Sequence, residues 1–163
     1  MTGIVVNPAA AVVNKLIMEQ TITIRTATQH DYPAVTALLQ QEKLPVEDVD
    51  KALSHFVVAT IEGVVAGTAG LELYSRDALL RSVAVSKSQR NLGLAGQLLD
   101  SLVSYAGKQG VQKLFLLTNT AEEYFERKGF TKIDWKEVPE AVAQSKEFNG
   151  LCPSSAVAMV RSL

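Results

Sequence analysis

The chain has one cysteine, Cys152, and two histidines, His30 and His55, among 163 residues. A lone cysteine excludes an intrachain disulfide, and so few histidines leave no metal-ligand cluster to expect. The same scarcity suits a reducing compartment, so a cytoplasmic location is expected. Charge of one sign is missing too: the formal net charge is −1 at pH 7. No basic surplus exists to drive nucleic-acid binding. Long hydrophobic runs are also absent. The stretch from Gly3 to Ile17 is fairly apolar, but Lys15 interrupts it and no basic residue precedes it. It is too short to cross a bilayer and lacks the basic flank of a signal peptide, so no membrane partner is expected. Residues 1–20 read as an N-terminal extension and residues 21–163 as one domain. Apolar residues make up 47% of the chain, enough for a sizeable core.

Hydrophobic periodicity predicts the elements. Thr21 to Thr26 alternates polar and apolar, as a half-buried strand does. Thr28 and Asp31 form a helix-start signal of the capping-box kind, ahead of a helix that buries Val35, Leu38 and Leu39. A short helix is expected from Val46 to about Ser54. Phe56–Ile61 and Val64–Leu73 flank Glu62-Gly63 as a β-hairpin. Leu79 to Val85 is apolar on both faces except at Arg81 and Ser82, so it reads as a central strand. A long helix starts near Gly93 or Leu94, with Leu94, Leu98, Leu102 and Ala106 on one stripe, and Gly107 and Gly110 end it. Leu114–Leu117 is an apolar strand, and Ala121–Lys128 a helix capped by Thr118 or Thr120. Phe130–Trp135 is a strand, Pro139–Gln144 a short helix, and Ala156–Arg161 a closing strand. This order predicts an α/β fold: a mixed sheet of about seven strands with helices on both faces. The strand before the long helix and the strand after it should pair in parallel.

The junction of the central strand and the long helix carries the chemistry. Gln89-Arg90-Asn91-Leu92-Gly93-Leu94-Ala95-Gly96-Gln97 is a polar turn with small residues that opens a helix. Unpaired N–H groups gather at such a helix start, at the positive end of the dipole. Small side chains let a ligand approach that backbone, which suits a phosphate or pyrophosphate. A Walker A loop would need Lys-Ser/Thr after its last glycine, and Gln97-Leu98 stands there. A dinucleotide fold would place the glycine turn after the first strand, with an acidic residue closing the next strand. Here the turn follows the fourth strand, and the next one ends in Thr118-Asn119.

Arg90-x-x-Gly93-x-Ala95, placed between the fourth strand and the long helix, resembles the acyl-coenzyme A motif of the GNAT acetyltransferase family. Ala121-x-x-x-Phe125-x-x-x-Gly129-Phe130 and Thr26-Ala27-Thr28-x-x-Asp31 resemble its later and opening motifs. The resemblance runs from about Thr21 to Leu163. Leu80–Val85, Leu116–Glu122 and the tail from Glu147 to Ala156 look like the arsenic-resistance-associated branch of that family.

The resemblance implies a GNAT-like sheet whose fourth and fifth strands splay apart to receive acetyl-coenzyme A, with no metal. Val83, Ala84 and Val85 would pair with the pantetheine arm. Gln89, Arg90, Gly93, Ala95, Gly96 and Gln97 would surround the pyrophosphate, with Asn119 and Phe125 beside the arm. It implies direct transfer of an acetyl group to an amine on a small molecule, amino-acid-like or toxic. The alternatives are a coenzyme A-binding sensor without catalysis, or a protein N-acetyltransferase. A backbone N–H near Val83 or Ala84 is the expected oxyanion donor. Glu72 is expected as general base or as a solvent-facing strand carboxylate. The leaving thiolate takes its proton from a helix tyrosine in many relatives, but Phe125 holds that position. Tyr124 next to it, another acid or solvent would then serve. Arg81 and Ser82 are expected to face opposite ways, so that only one reads the acceptor. Arg81 would hold an acceptor carboxylate, pair with Glu72, or do both. Cys152 reads as a packing residue. A homodimer is expected, with the tail strand at the interface.

Overall fold

The computed structural model describes residues 21–163. The expected extension, residues 1–20, lies outside the described residues. Seven strands form one sheet: β1 (Ile22–Thr26), β2 (Phe56–Ile61), β3 (Val64–Tyr74), β4 (Asp77–Val85), β5 (Lys113–Thr118), β6 (Thr131–Ile133) and β7 (Val157–Ser162). Their order is β1-β2-β3-β4-β5-β7-β6. Pairing is antiparallel throughout except between β4 and β5, which run parallel as the long connecting helix requires.

Alternation puts different side chains on the two faces. Val57, Ala59 and Ile61 of β2 join Leu94, Leu98, Leu102 and Ala106 in one cluster, under helix α3 (Leu94–Lys108). Phe56 and Val58 of the same strand point the other way, against Val35, Leu38 and Leu39 of helix α1 (Tyr32–Gln41) and Val49 of helix α2 (Val49–Ala52). Every residue of β2 is buried for that reason. Phe125 of helix α4 (Glu122–Arg127) joins the α3 side. Val142 of helix α5 (Glu140–Ala143) covers Leu79, Phe115 and Ala158 on the opposite face. The apolar stripe of α3 contributes roughly 1.5–3 kcal/mol per buried leucine.

Several local signals work as read. The Thr28 N–H donates to Asp31 Oδ2 at 2.7 Å, the reach-back bond of a capping box. Arg25 adds a two-pronged contact to the same carboxylate at 2.7 and 2.9 Å. That guanidinium, helped by the Thr28 bonds against the cost of burial, lowers the Asp31 pKa to about 2. Thr118 Oγ1 accepts from the Ala121 N–H at 3.1 Å, so Thr118 rather than Thr120 receives the chain at α4. Two elements differ from expectation. The helix expected over Val46–Ser54 is divided into α2 and a 3-10 turn, Leu53–His55, after Asp48 enters at a positive φ of 61°. The strand expected to run to Trp135 stops at Ile133, because the Asp134 side chain accepts from the Lys136 N–H and starts a turn.

The central strand contains a break that positions the site. Arg81 opposes Gly70 and Ala84 opposes Thr68, so Ser82 and Val83 together face Ala69. This is a β-bulge, and Ser82 carries its strained conformation at φ 58°. Leu80 and Val83 can then both join the α3 side, which strict alternation would forbid. Gly70 is required nearby, since any Cβ there would overlap the Phe56 ring.

Candidate active site

The register between β4 and β5 covers only Asp77, Ala78 and Leu79 against Lys113, Leu114 and Phe115. Beyond Leu79 the two strands separate, which is the expected splay. A cavity of about 1180 Å³ opens there. Ser82, Val83, Ala84 and Val85 form its β4 wall, and Thr118, Asn119, Tyr124 and Phe125 line the opposite side. Gln89, Arg90, Gly93, Ala95 and Gly96 lie along the same cavity at the helix start. Gly93 has φ 75° and Asn91 φ 71°, two left-handed residues that curl the backbone before α3. The first intrahelical bond runs from the Gln97 N–H to Gly93 O at 3.2 Å, so the preceding N–H groups remain available to a ligand. Gln97 itself does not line the cavity; it follows the turn on the exposed side of α3.

Charge divides this cavity. Lys128 reaches back from the end of α4 so that its Nζ would stand 3.3 Å from a Cβ on Gly96. The same ammonium lies 5.7 Å from the Tyr124 ring centroid. Sequence reading missed Lys128; the signal was its place one helical turn after Tyr124. Arg90 is half exposed and pairs with Glu42 Oε2 at 2.6 Å, across from the loop that follows α1. These cations and the open helix start suit a pyrophosphate. The far end carries Glu47 and Glu147 instead.

Arg81 and Glu72 take the charge-pair alternative rather than the acceptor-binding and general-base roles. The Arg81 side chain is only 1% exposed and lies outside the cavity lining. Its Nη1 donates to Glu72 Oε2 at 3.2 Å, its Nη2 to Glu47 O at 3.1 Å, and its Nε to Ser82 Oγ at 3.1 Å. With three of its five N–H groups engaged and its side chain buried off the cavity, it presents no open fork to an acceptor carboxylate. Glu72 also lies off the cavity, because it serves Arg81 and accepts from the Tyr74 hydroxyl at 3.1 Å. Only one of the adjacent pair Arg81 and Ser82 lines the cavity, although Arg81 Nε still reaches the Ser82 hydroxyl. Ser82 is the member of the pair on the cavity wall.

Glu147 is the group that sequence reading passed over. It starts a π-type turn, Glu147–Leu151, is 6% exposed, and lines the cavity. Its Oε1 lies 3.6 Å from Arg81 Nε, and its Oε2 accepts from Cys152 Sγ at 3.4 Å. Burial pushes its pKa up, against the pull of Arg81. Cys152 lines the cavity too; burial and the neighbouring carboxylate raise its thiol to about 12, so it stays protonated. Burial also raises Tyr124. Among the described residues no group of three His, Cys, Asp or Glu could hold a metal, and no helix is long and apolar enough to cross a membrane.

Residues 52–132 match the family described as acetyltransferase (GNAT) domain. The amino-acid acetyltransferase of Pasteurella multocida is 29% identical over 139 residues, covering 80% of this chain and 32% of that protein. The Escherichia coli K12 enzyme of the same description is 26% identical, covering 80% of this chain and 31% of its own length. The chain therefore spans about a third of the length of these curated relatives. N-acetylglutamate synthase from Neisseria gonorrhoeae, solved with coenzyme A and N-acetyl-glutamate, superposes with a TM-score of 0.77 at 25% identity, covering 89% of this chain and 36% of that one. A Mycobacterium tuberculosis protein solved with CoA gives a TM-score of 0.75 at 27% identity, covering 86% of this chain and 99% of that one. Sheet order, splay and sequence match agree: the fold is GNAT-like, and residues 52–132 match the GNAT acetyltransferase domain.

Proposed function

We propose that the chain is an acetyl-coenzyme A-dependent N-acetyltransferase that acetylates the amine of a small molecule. The observation that carries this is the cavity itself, which runs from the open start of α3 through the gap between β4 and β5 to a carboxylate end. Acetyl-coenzyme A supplies the activated acetyl group. Gly93, Ala95, Gly96, Arg90 and Lys128 hold its pyrophosphate, and Val83, Ala84 and Val85 pair with its arm in the manner of an added strand. Asn119 and Phe125 bound that arm from the other side. A backbone N–H of β4 near Val83 or Ala84 stabilises negative charge on the acetyl oxygen. Tyr124, held protonated by burial, donates to the departing sulfur. Most of the acceleration comes from alignment, which is worth effective molarities on the order of 10⁵–10⁸ M.

The relatives point to an amino-acid-like acceptor. Its carboxylate cannot rest on the buried Arg81; we infer that Lys43, which lines the cavity, meets it instead. The tail resemblance supports a toxic, arsenic-linked amino acid as one member of that class. We further infer a cytoplasmic homodimer. The test is an acceptor screen with free-thiol detection, covering amino acids, arsenic-containing amino acids and simple amines. Thiol release that depends on one of these amines is expected. Tight coenzyme A binding with no transfer to any of them would overturn the reading in favour of a sensor.

A further inference from the structure

We propose that Glu147 removes the proton from the acceptor's ammonium group, and that the acceptor is a primary alkylamine entering as a cation. This rests on the acetyl-transfer reading above.

The placement of the carboxylate carries the inference. Ser82 is the bulge residue of β4, just past the point where that strand parts from β5, and Glu147 approaches the same guanidinium nitrogen. Arg81 Nε is 3.1 Å from Ser82 Oγ and 3.6 Å from Glu147 Oε1. Ser82 and Glu147 both line the cavity, whereas Arg81 is sealed behind them. Each Glu147 oxygen has one steering contact, Arg81 on one and the Cys152 thiol on the other. A carboxylate has about four lone-pair sites, so acceptor capacity remains for an incoming N–H.

The surrounding charges select a cation. The groups facing Glu147 are Arg81 from β4, Glu72 from β3, Glu47 from the loop after α1, and the neutral Cys152 thiol. A single buried guanidinium thus stands against two directly paired carboxylates, Glu72 and Glu147. Their surplus negative charge attracts an ammonium and repels an anion. Burial raises Glu147 toward the pH at which a general base works best.

The proton and electron count closes. The ammonium gives one proton to the Glu147 carboxylate and becomes a neutral amine. Its lone pair forms the C–N bond to the acetyl carbon, the C–S bond breaks, and sulfur keeps that pair. Tyr124 gives its hydroxyl proton to the sulfur and is restored by the second nitrogen proton, leaving amide and free thiol. Glu147 then returns its proton to water.

The experiment measures kcat/KM against pH for wild type and Glu147→Gln, with a primary amine that gives turnover in the screen. Calorimetric titration with coenzyme A runs beside it as a check on folding. Glu147→Gln should lose at least about 100-fold at pH 7, the lower range for a general base. Its acidic limb should move up to the amine's own pKa, so that rate returns only at high pH, and it should bind coenzyme A as before. Turnover within threefold of wild type at pH 7, with the acidic limb retained, overturns the role of Glu147 alone. If wild type binds coenzyme A yet acetylates no primary amine, the transfer reading fails and takes this role with it. Should Glu147→Gln fail to bind coenzyme A, Glu147→Asp takes its place. It should keep the acidic limb at about tenfold lower rate, and wild-type rate in that variant also overturns the proposal.

Discussion

Arg81→Met is the most informative single change for stability. The guanidinium is 1% exposed and has Glu72 at 3.2 Å and Glu147 at 3.6 Å. Methionine fills much of the same volume and keeps the packing over the Phe56 ring, which now lies 5.9 Å from the guanidinium carbon. The charge is what disappears. Breaking a buried pair from one side costs about 3–5 kcal/mol, because the partner carboxylate is left uncompensated. Glu72 is one-fifth exposed and recovers some hydration, which favours the lower end, about 3 kcal/mol. For a chain of this size that corresponds to a fall in Tm of roughly 6–12 °C. The sign with pH follows from linkage. Without Arg81 the Glu147 carboxyl, already pushed up by burial, loses the guanidinium that holds it down, so the penalty grows as pH rises above its unfolded pKa and shrinks as pH falls. Urea unfolding at pH 8, 7 and 5.5 should show the gap to wild type narrowing toward pH 5.5. Adding Glu147→Gln to Arg81→Met should restore part of the loss. An Arg81→Met protein within 1 kcal/mol of wild type at every pH, roughly the error of such extrapolations, would refute the reasoning.

Three further outcomes are expected. Glu42→Gln releases Arg90 from its 2.6 Å pair and should tighten coenzyme A binding about threefold, a surface-pair effect readable by calorimetry. Asp31→Asn should cost about 1–2 kcal/mol at pH 7, discounted for the 41% exposed Arg25. Because the native pKa of Asp31 is lowered to about 2, the wild-type advantage is present above pH 4 and is lost as pH falls from about 4 to 2. Gly70→Ala should destabilise by about 1–3 kcal/mol through overlap with the Phe56 ring, and Gly70→Ala combined with Phe56→Leu should recover part of it in thermal unfolding.

What the sequence made legible follows from how far each signal reaches along the chain. The α3 stripe, the Thr28–Asp31 cap and the glycine turn are local patterns, and local hydrogen bonding and burial realise them. The bulge at Ser82 was not legible, because only the folded register shows that Leu80 and Val83 share the α3 side. The pairing of Arg81 with Glu72 across the hairpin was legible as one alternative, but Glu147 was not, because the turn after α5 meets β3 and β4 only when the chain closes. Strand alternation placed Glu72 opposite its apolar neighbours but could not show that Arg81 and Tyr74 would occupy it. Glu147 sat in a tail that resembled known proteins, yet periodicity has nothing to say about a carboxylate in a π-type turn.

The central claim is that coenzyme A lies in the gap between β4 and β5 with its pyrophosphate on the start of α3. Calorimetric titration of coenzyme A into wild type and Gly96→Leu tests it directly. Leucine favours the helix, so the fold survives, while the added side chain meets Lys128 Nζ, 3.3 Å from where its Cβ would stand, and projects into the cavity. Wild type should bind, and Gly96→Leu should bind more than tenfold more weakly with an unchanged circular dichroism spectrum, a loss of about 1.4 kcal/mol or more. Equal affinity for the two proteins would place the cofactor elsewhere and contradict the account.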